Sequence, residues 1–300
     1  MEPGITSEAQ PRSTARRIIH YPATLLLIGI VFTVVAIAVS VGVFKLFGHH
    51  PNAWLSVLAS SAVAAIFVAM YALFCRLIEQ RPVVEFSLRG WAPELVGGIV
   101  AGVLVFSTIV GVIALLGGYQ VIATRGPAVL VPALAVAILS GFTEEIFFRG
   151  LFFRLSEQWL GSWAALVLSA ALFGGLHLNN PNATWFAGLA IAFEAGILLA
   201  AVYMITRRLW AAVGLHAAWN FVEGGVYSIP ISGGKFDGIL VPRIAPSEML
   251  TGGAFGAEAS LPAMIVATAF GIGLLVIAWR RGSFMPPLWV RRHQSAARQE

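Results

Sequence analysis

Ionisable residues are rare in the apolar stretches of this sequence, and they lie between positions 144 and 223. They are Glu144, Glu145, Arg149, His177, Glu194, His216 and Glu223. Charged side chains inside a bilayer are costly and mark function by default. Carboxylates and imidazoles at such positions can act as general bases, hydrogen-bond donors or metal ligands. The sequence therefore predicts hydrolytic or proton-transfer chemistry in this part of the chain.

The first group is a pair of acids followed by an arginine. Glu145 and Arg149 have i, i+4 spacing with the acid first, which favours an ion pair on one helix face. Glu144 is rotated about 100° from Glu145 and is free to face something else. We therefore predict a buried Glu145–Arg149 pair and a reactive Glu144.

The second group is His177, which follows Gly174 and Gly175. If helices four and five turn near 160–161, Glu144 and His177 each lie about 24 Å from that turn, at equal height. The glycines would permit close helix approach. The pair could be a general base with its orienting partner, or two metal ligands.

The third group places His216 and Asn220 one helical turn apart on one face. Both side chains can donate hydrogen bonds, so together they could hold an oxyanion, or they could join two helices. His216 lies only about 8 residues past the Arg207-Arg208 turn, which predicts a site nearer the cytoplasmic face. Glu194 could support this site or pair with another helix, and Glu223 is placed at a helix edge.

Composition defines the class of protein. Hydrophobic residues make up 58% and charged residues 11% of the 300 residues, whereas soluble domains carry about 25% charged residues. A water-soluble domain and a disordered chain are therefore excluded, and the one cysteine, Cys75, excludes a disulfide framework. The chain is predicted to be an all-α, polytopic transmembrane helical bundle.

Apolar runs predict about eight spans, and four of these runs, at 21–44, 46–75, 95–124 and 259–279, contain no Asp, Glu, Lys or Arg. Three lie at 21–44, 46–75 and 95–124, four at 128–157, 162–179, 184–205 and 209–228, and the last at 259–279. With both termini cytoplasmic, the inner segments hold most of the basic residues: Arg12, Arg16, Arg17, Arg76, Arg81, Arg89, Arg149, Arg154, Arg207, Arg208, Arg280, Arg281, Arg291, Arg292 and Arg298. The outer side keeps Lys45, Arg125, Lys235 and Arg243. The positive-inside rule thus predicts cytoplasmic N- and C-termini.

This organisation divides the chain into five predicted segments. A cytoplasmic tail covers 1–17, helices one to three occupy 18–127, and the site-bearing helices four to seven occupy 128–228. An outer loop at 229–261 is predicted to be a flexible connector, with a lid as the alternative. The last helix and a basic cytoplasmic tail occupy 262–300.

The three groups together resemble a known family. Glu144-Glu145-x-x-x-Arg149, Phe173-x-x-x-His177 and His216-x-x-x-Asn220 are similar to the three signature motifs of the CPBP intramembrane proteases. This family, also called Abi, includes CAAX prenyl endopeptidases and bacteriocin-processing enzymes. The resemblance covers about 128–225 and implies an intramembrane endopeptidase.

The resemblance also implies roles for the motif residues. Glu144 and His177 would activate water, His216 and Asn220 would stabilise the oxyanion, and Glu145 with Arg149 would hold the geometry. Family members are often described as metalloproteases, so Glu144, His177 and His216 could instead bind Zn²⁺. No HExxH motif is present, and we favour a metal-free mechanism; the cofactor expectation is none or Zn²⁺.

The expected partners are membrane lipid and a peptide or membrane-protein substrate, with no nucleic acid. The expected location is a bacterial inner membrane, crossed several times. Two alternatives stay open: a proton-coupled transporter that uses Glu144, His177 and Glu194 as a proton relay, and a non-catalytic membrane adaptor or immunity protein. No internal repeat typical of transporters is visible.

Overall fold

The computed structural model describes residues 14–47 and 52–297, and it is mostly helical. Positions 48–51 of the predicted 46–75 span and most of the predicted 1–17 tail lie outside the described residues. The helices are α1 (Thr14–Ile19), α2 (Pro22–Phe47), α3 (Ala53–Leu73), α4 (Trp91–Leu115), α5 (Leu130–Glu145), α6 (Arg154–Leu160), α7 (Ser162–His177), α8 (Trp185–Ile191), α9 (Ile197–Thr206), α10 (Trp210–Asn220), α11 (Glu248–Thr251), α12 (Leu261–Arg280) and α13 (Leu288–Ala296).

Several of these helices run on through π-helical segments, so that neighbouring labels form one rod. The π segments are Phe74–Ile78 after α3, Ile146–Phe153 between α5 and α6, Ala192–Gly196 between α8 and α9, and Phe221–Val226 after α10. Short 3₁₀ turns lie at Pro127–Val129 and Ala257–Ala259. One rod therefore extends from Pro127 to Leu160.

Within the described residues, six helices are long and apolar enough to cross a membrane, and Ser162–His177 is a shorter apolar helix. Many of their large apolar side chains are exposed, as they are on helices that face lipid. The chain is thus an integral, multi-pass membrane protein built as a helical bundle. The number of spans and the side on which the termini lie remain predictions.

Glycines bring the helix backbones together around the site. A Cβ at Gly98 of α4 would lie 2.1 Å from the carbonyl oxygen of Ala211 in α10, and one at Gly174 of α7 would lie 2.1 Å from that of Gly188 in α8. The close approach predicted at Gly174 is confirmed. Gly175 has nothing within 4 Å of an added Cβ, so it makes no such contact.

The outer loop is more ordered than predicted. The third apolar run does not stay helical to residue 124, because α4 ends at Leu115 and Tyr119–Thr124 forms strand β1. This strand pairs antiparallel with β2, Leu240–Ile244. The loop also buries Ile231 and Phe255. The prediction of a flexible connector is therefore wrong, since the loop packs on the bundle through strand pairing and apolar burial.

Ion pairs join the chain segments at the end of the bundle away from the outer loop. Arg154 bonds Glu79 through two nitrogens at 2.8 Å, and Arg81 pairs with Glu79 and Glu85 at 3.0 Å. Glu157, three residues after Arg154 in α6, pairs with Arg207. Burial opposes ionisation of Glu79, yet Arg154 and Arg81 hold its pKa below the ordinary value. This end of the bundle is closed by a charged network.

Candidate active site

Three helices bring Glu144, His177 and His216 together. Glu144 Oε2 lies 4.0 Å from His177 Nε2 and 3.9 Å from His216 Nε2. Glu144 lies near the end of α5, His177 ends α7, and His216 lies within α10. The side chain of Glu144 is 31% exposed, against 13% for His177 and 9% for His216. The convergence predicted for these residues is therefore present, with Glu144 open to the cavity.

Hydrogen bonds orient both imidazoles. His177 Nδ1 lies 2.7 Å from the carbonyl oxygen of Phe173, which can only accept, so this nitrogen carries the hydrogen. His216 Nδ1 lies 2.8 Å from Glu145 Oε1. Both Nε2 atoms consequently face Glu144. Separations near 4 Å are too long for direct hydrogen bonds but suit a bridging water.

The predicted Glu145–Arg149 pair is present and fully buried. Arg149 Nη1 lies 2.9 Å from Glu145 Oε1, and both side chains are 0% exposed. Arg149 Nη2 also donates to the carbonyl oxygen of Ala195 at 3.0 Å, and its guanidinium lies 4.6 Å from the centre of the Phe173 ring. The same Glu145 oxygen contacts His216, a link that the motif spacing did not predict. The pair therefore connects α5, the α8–α9 rod and α10.

Asn220 lies on the cavity wall one turn beyond His216. Its Nδ2 donates to Ser140 Oγ at 2.7 Å, and Ser140 in turn donates to the carbonyl oxygen of Val136 at 2.9 Å. An amide nitrogen carries two hydrogens, so one remains for a ligand. Sequence reasoning missed Ser140, because an isolated serine in an apolar helix usually bonds only its own backbone.

The site lines a cavity of about 320 Å³. Its walls include Asn180 and Pro181 from the turn after α7, and Ser232, Phe236 and Glu258 from the outer loop. The cavity thus opens at the loop end of the bundle, away from the Arg207-Arg208 turn. The prediction of a site nearer the cytoplasmic face stays a prediction.

Glu258 is a cavity residue that the sequence did not reveal. Its Oε2 accepts hydrogen bonds from the Ser232 backbone nitrogen at 2.9 Å and from Ser232 Oγ at 2.6 Å. Burial raises the pKa of the Glu258 carboxyl, although these bonds and the nearby His177 and His216 act in the opposite direction. An acid in a Gly-rich loop gives no periodic signal, and only its packing places it here.

Two further acids lie deep in the protein. Glu194, which was expected to support the site or pair with another helix, is 0% exposed, and neither of its oxygens accepts a hydrogen bond from the described residues. Glu223, which was expected at a helix edge, lies in the π-helical segment Phe221–Val226 that follows α10, and it is also 0% exposed. Its Oε1 would lie 3.3 Å from a Cβ at Gly256, which places it against the outer loop.

The predicted zinc ligands do not form a metal site as placed. Tetrahedral zinc ligands about 2.0–2.2 Å from the ion lie roughly 3.3 Å from one another, whereas Glu144 Oε2 lies 3.9–4.0 Å from the two Nε2 atoms. In residues 14–47 and 52–297, no group of three or more His, Cys, Asp or Glu side chains could hold a metal ion. As placed, these donors are therefore too far apart to ligate one tetrahedral Zn²⁺ together.

Comparison with known proteins identifies the segment that carries this site. Residues 126–222 match the family model described as type II CAAX prenyl endopeptidase Rce1-like, which covers about a third of the chain. The resemblance predicted from the three motifs is confirmed over this segment. The family implies a protease that acts on membrane-associated peptides. No curated protein and no solved structure matches the chain.

Proposed function

We propose that this chain is an intramembrane endopeptidase of a bacterial inner membrane that hydrolyses membrane-associated peptides or proteins through water activated by Glu144. One observation carries the proposal. Within the segment that matches the endopeptidase family, the partly exposed Glu144 carboxylate faces two imidazole Nε2 atoms across gaps that suit one water.

Glu144 acts as the general base. Because His177 keeps its hydrogen on Nδ1, its Nε2 lone pair accepts one hydrogen of the water. The other hydrogen points to Glu144 Oε2. Glu144 takes this proton as the water oxygen attacks the carbonyl carbon of the scissile bond, which forms a tetrahedral oxyanion.

Asn220 and His216 stabilise that oxyanion. The second hydrogen on Asn220 Nδ2 faces the cavity, since the first is bound to Ser140. His216 Nε2 carries a hydrogen while Nδ1 donates to Glu145 only in the imidazolium form. The buried Glu145 carboxylate favours that form. When the C–N bond breaks, protonated Glu144 returns its proton to the leaving amine.

Glu145 and Arg149 position this machinery and do not touch the substrate. Arg149 holds the Glu145 carboxylate, and the same oxygen holds His216 Nδ1. The i, i+4 pair therefore sets the direction of His216 Nε2 toward Glu144. The role is one of preorganisation, which keeps donors aimed where charge develops.

We expect the enzyme to remain active after chelation. The reason is the spacing of Glu144 from both imidazoles, which suits water. Protein treated with a strong chelator and then desalted should cleave at the untreated rate, and added Zn²⁺ should not increase it. Loss of activity with recovery on Zn²⁺ would instead assign Glu144, His177 and His216 as ligands.

Asn220→Ala should lower kcat with little change in KM. It removes one oxyanion donor, which costs about 2.7–4 kcal/mol of transition-state stabilisation, or roughly 10²–10³ in kcat. Ser140→Ala is the matched control, because it removes only the residue that orients Asn220, and we expect a smaller loss. Equal losses for both variants, or a change in KM alone, would contradict the oxyanion role.

Cleavage by purified protein tests the function itself. In detergent, the protein should hydrolyse an internally quenched peptide library and yield discrete products. A proton-coupled transporter would instead show substrate uptake in proteoliposomes without cleavage, for which the buried Glu194 and Glu223 would be the relay. An adaptor would show neither activity.

A further inference from the structure

We propose that the active site receives its substrate from the side of the membrane opposite the chain termini, so that its substrates are extracytoplasmic peptide segments. This inference rests on the proposed endopeptidase function and adds to it the side from which the substrate comes. Lipidated proteins that stay in the cytoplasm would then not be substrates.

The first observation is the position of the cavity mouth. Every loop residue that lines the cavity belongs to a connection at one end of the bundle. These residues are Asn180, Pro181, Ile231, Ser232, Gly234, Phe236 and Glu258. At the other end, the Glu79–Arg81–Arg154 ion pairs join the turn after α3 to α6. The segment after α12 closes on α7 there as well, because Ser162 and Met285 exchange hydrogen bonds of 2.9 and 2.7 Å.

The second observation is the charge of the two ends. The closed end holds Arg16, Arg17, Arg76, Arg81, Arg89, Arg154, Arg207, Arg208, Arg280, Arg281, Arg291 and Arg292. Of the described residues, the mouth end holds Lys45, Arg125, Lys235 and Arg243. Short loops rich in Lys and Arg stay in the cytoplasm. The closed end is therefore the cytoplasmic end, and the cavity opens outward.

The third observation is the structure of the mouth. Ser232 is hydrogen-bonded to Glu258, Gly233 donates to the carbonyl oxygen of Phe255 at 2.6 Å, and Gly233 packs on Pro181. Polar groups and backbone from three chain segments thus form the rim. A rim of this kind needs water or polar peptide, not acyl chains, beside it. The substrate enters from the aqueous phase on that side.

Cysteine labelling tests the side without relying on catalysis. The native Cys75 is buried and would be replaced by Ser. Ser232→Cys reports on the cavity rim, Lys235→Cys on the exposed loop, and Leu88→Cys, at a position 72% exposed on the closed end, is the control. The reagent is a charged, membrane-impermeant maleimide. It is applied to right-side-out and inside-out vesicles from a bacterial host.

We expect the Ser232→Cys and Lys235→Cys variants to react roughly tenfold or more faster in right-side-out vesicles, because a charged reagent crosses lipid slowly. The Leu88→Cys variant should show the reverse preference. Two loop positions protect the test against one variant that fails to fold. The opposite pattern at the loop positions would overturn the proposal.

A cleavage experiment then separates the proposed side of substrate entry from the proposed endopeptidase function. A single-span reporter carries the same cleavable peptide on either its extracytoplasmic or its cytoplasmic side. Cleavage of the extracytoplasmic reporter alone supports the inference. Cleavage of the cytoplasmic reporter overturns it while supporting proteolysis. If neither reporter is cut and labelling is outward, the endopeptidase function fails and the outward cavity stands.

Discussion

Glu144→Gln is expected to abolish most cleavage, with a loss of about 10²–10⁴-fold in single-turnover rate. The amide is nearly isosteric with the carboxylate but cannot take a proton from water. Glu144 lacks a basic partner other than the two histidines in the described structure, and its side chain is 31% exposed, so folding should not suffer. The measurement is the single-turnover rate beside substrate affinity and thermal stability.

Glu94→Gln is the matched control for this experiment. Glu94 has a similar exposure, 27%, but it pairs with Arg208 at the closed end of the bundle. We expect this variant to retain the full cleavage rate. Undiminished cleavage by Glu144→Gln would reject Glu144 as the general base, whatever the control shows.

Arg149→Ala is expected to destabilise the protein by about 3–5 kcal/mol, because it leaves the buried Glu145 carboxylate without its partner. Arg149 is 0% exposed and also bonds the carbonyl oxygen of Ala195. Accumulation in the membrane and the unfolding temperature in detergent should both fall. Activity should fall as well, because Glu145, the partner of His216, loses the arginine that holds it in place.

Two comparisons make this prediction specific. Asp237→Ala breaks only an exposed pair with Arg125 at 3.0 Å and should cost at most about 1 kcal/mol. The double variant Glu145→Gln with Arg149→Met removes both buried charges, so it should recover stability while cleavage stays low. Normal stability of Arg149→Ala alone would contradict the buried pair.

Those parts of the site that depend on helix periodicity could be predicted from the sequence. The i, i+4 spacings indicated that Glu145 faces Arg149 and that His216 and Asn220 share a face, because both are local properties of one helix. Equal heights in a hairpin placed Glu144 beside His177. Each of these relations depends only on counting residues along helices or from one turn.

Contacts between distant segments could not be predicted in this way. The bond from His216 to Glu145 depends on how α10 rotates against α5, which backbone contacts at glycines set. Ser140 and Glu258 enter the site only through tertiary packing. The outer loop was misjudged because its Gly and Pro content suggests flexibility, whereas its strand pairs with β1 some 120 positions away along the chain.

The π-helical segment between α5 and α6 has a consequence for rotational register. A π turn holds one residue more than an α turn. In the rod from Pro127 to Leu160, the π segment therefore changes the direction of the side chains that follow it, so Arg154 faces Glu79 while Glu144 faces the cavity. Deleting one residue within 150–153 would restore α-helical winding and turn Arg154 by about 100°. The Arg154–Glu79 ion pair would then be lost while Glu144 kept its direction toward the cavity. Such a variant would separate the anchoring of this helix from the chemistry that it carries.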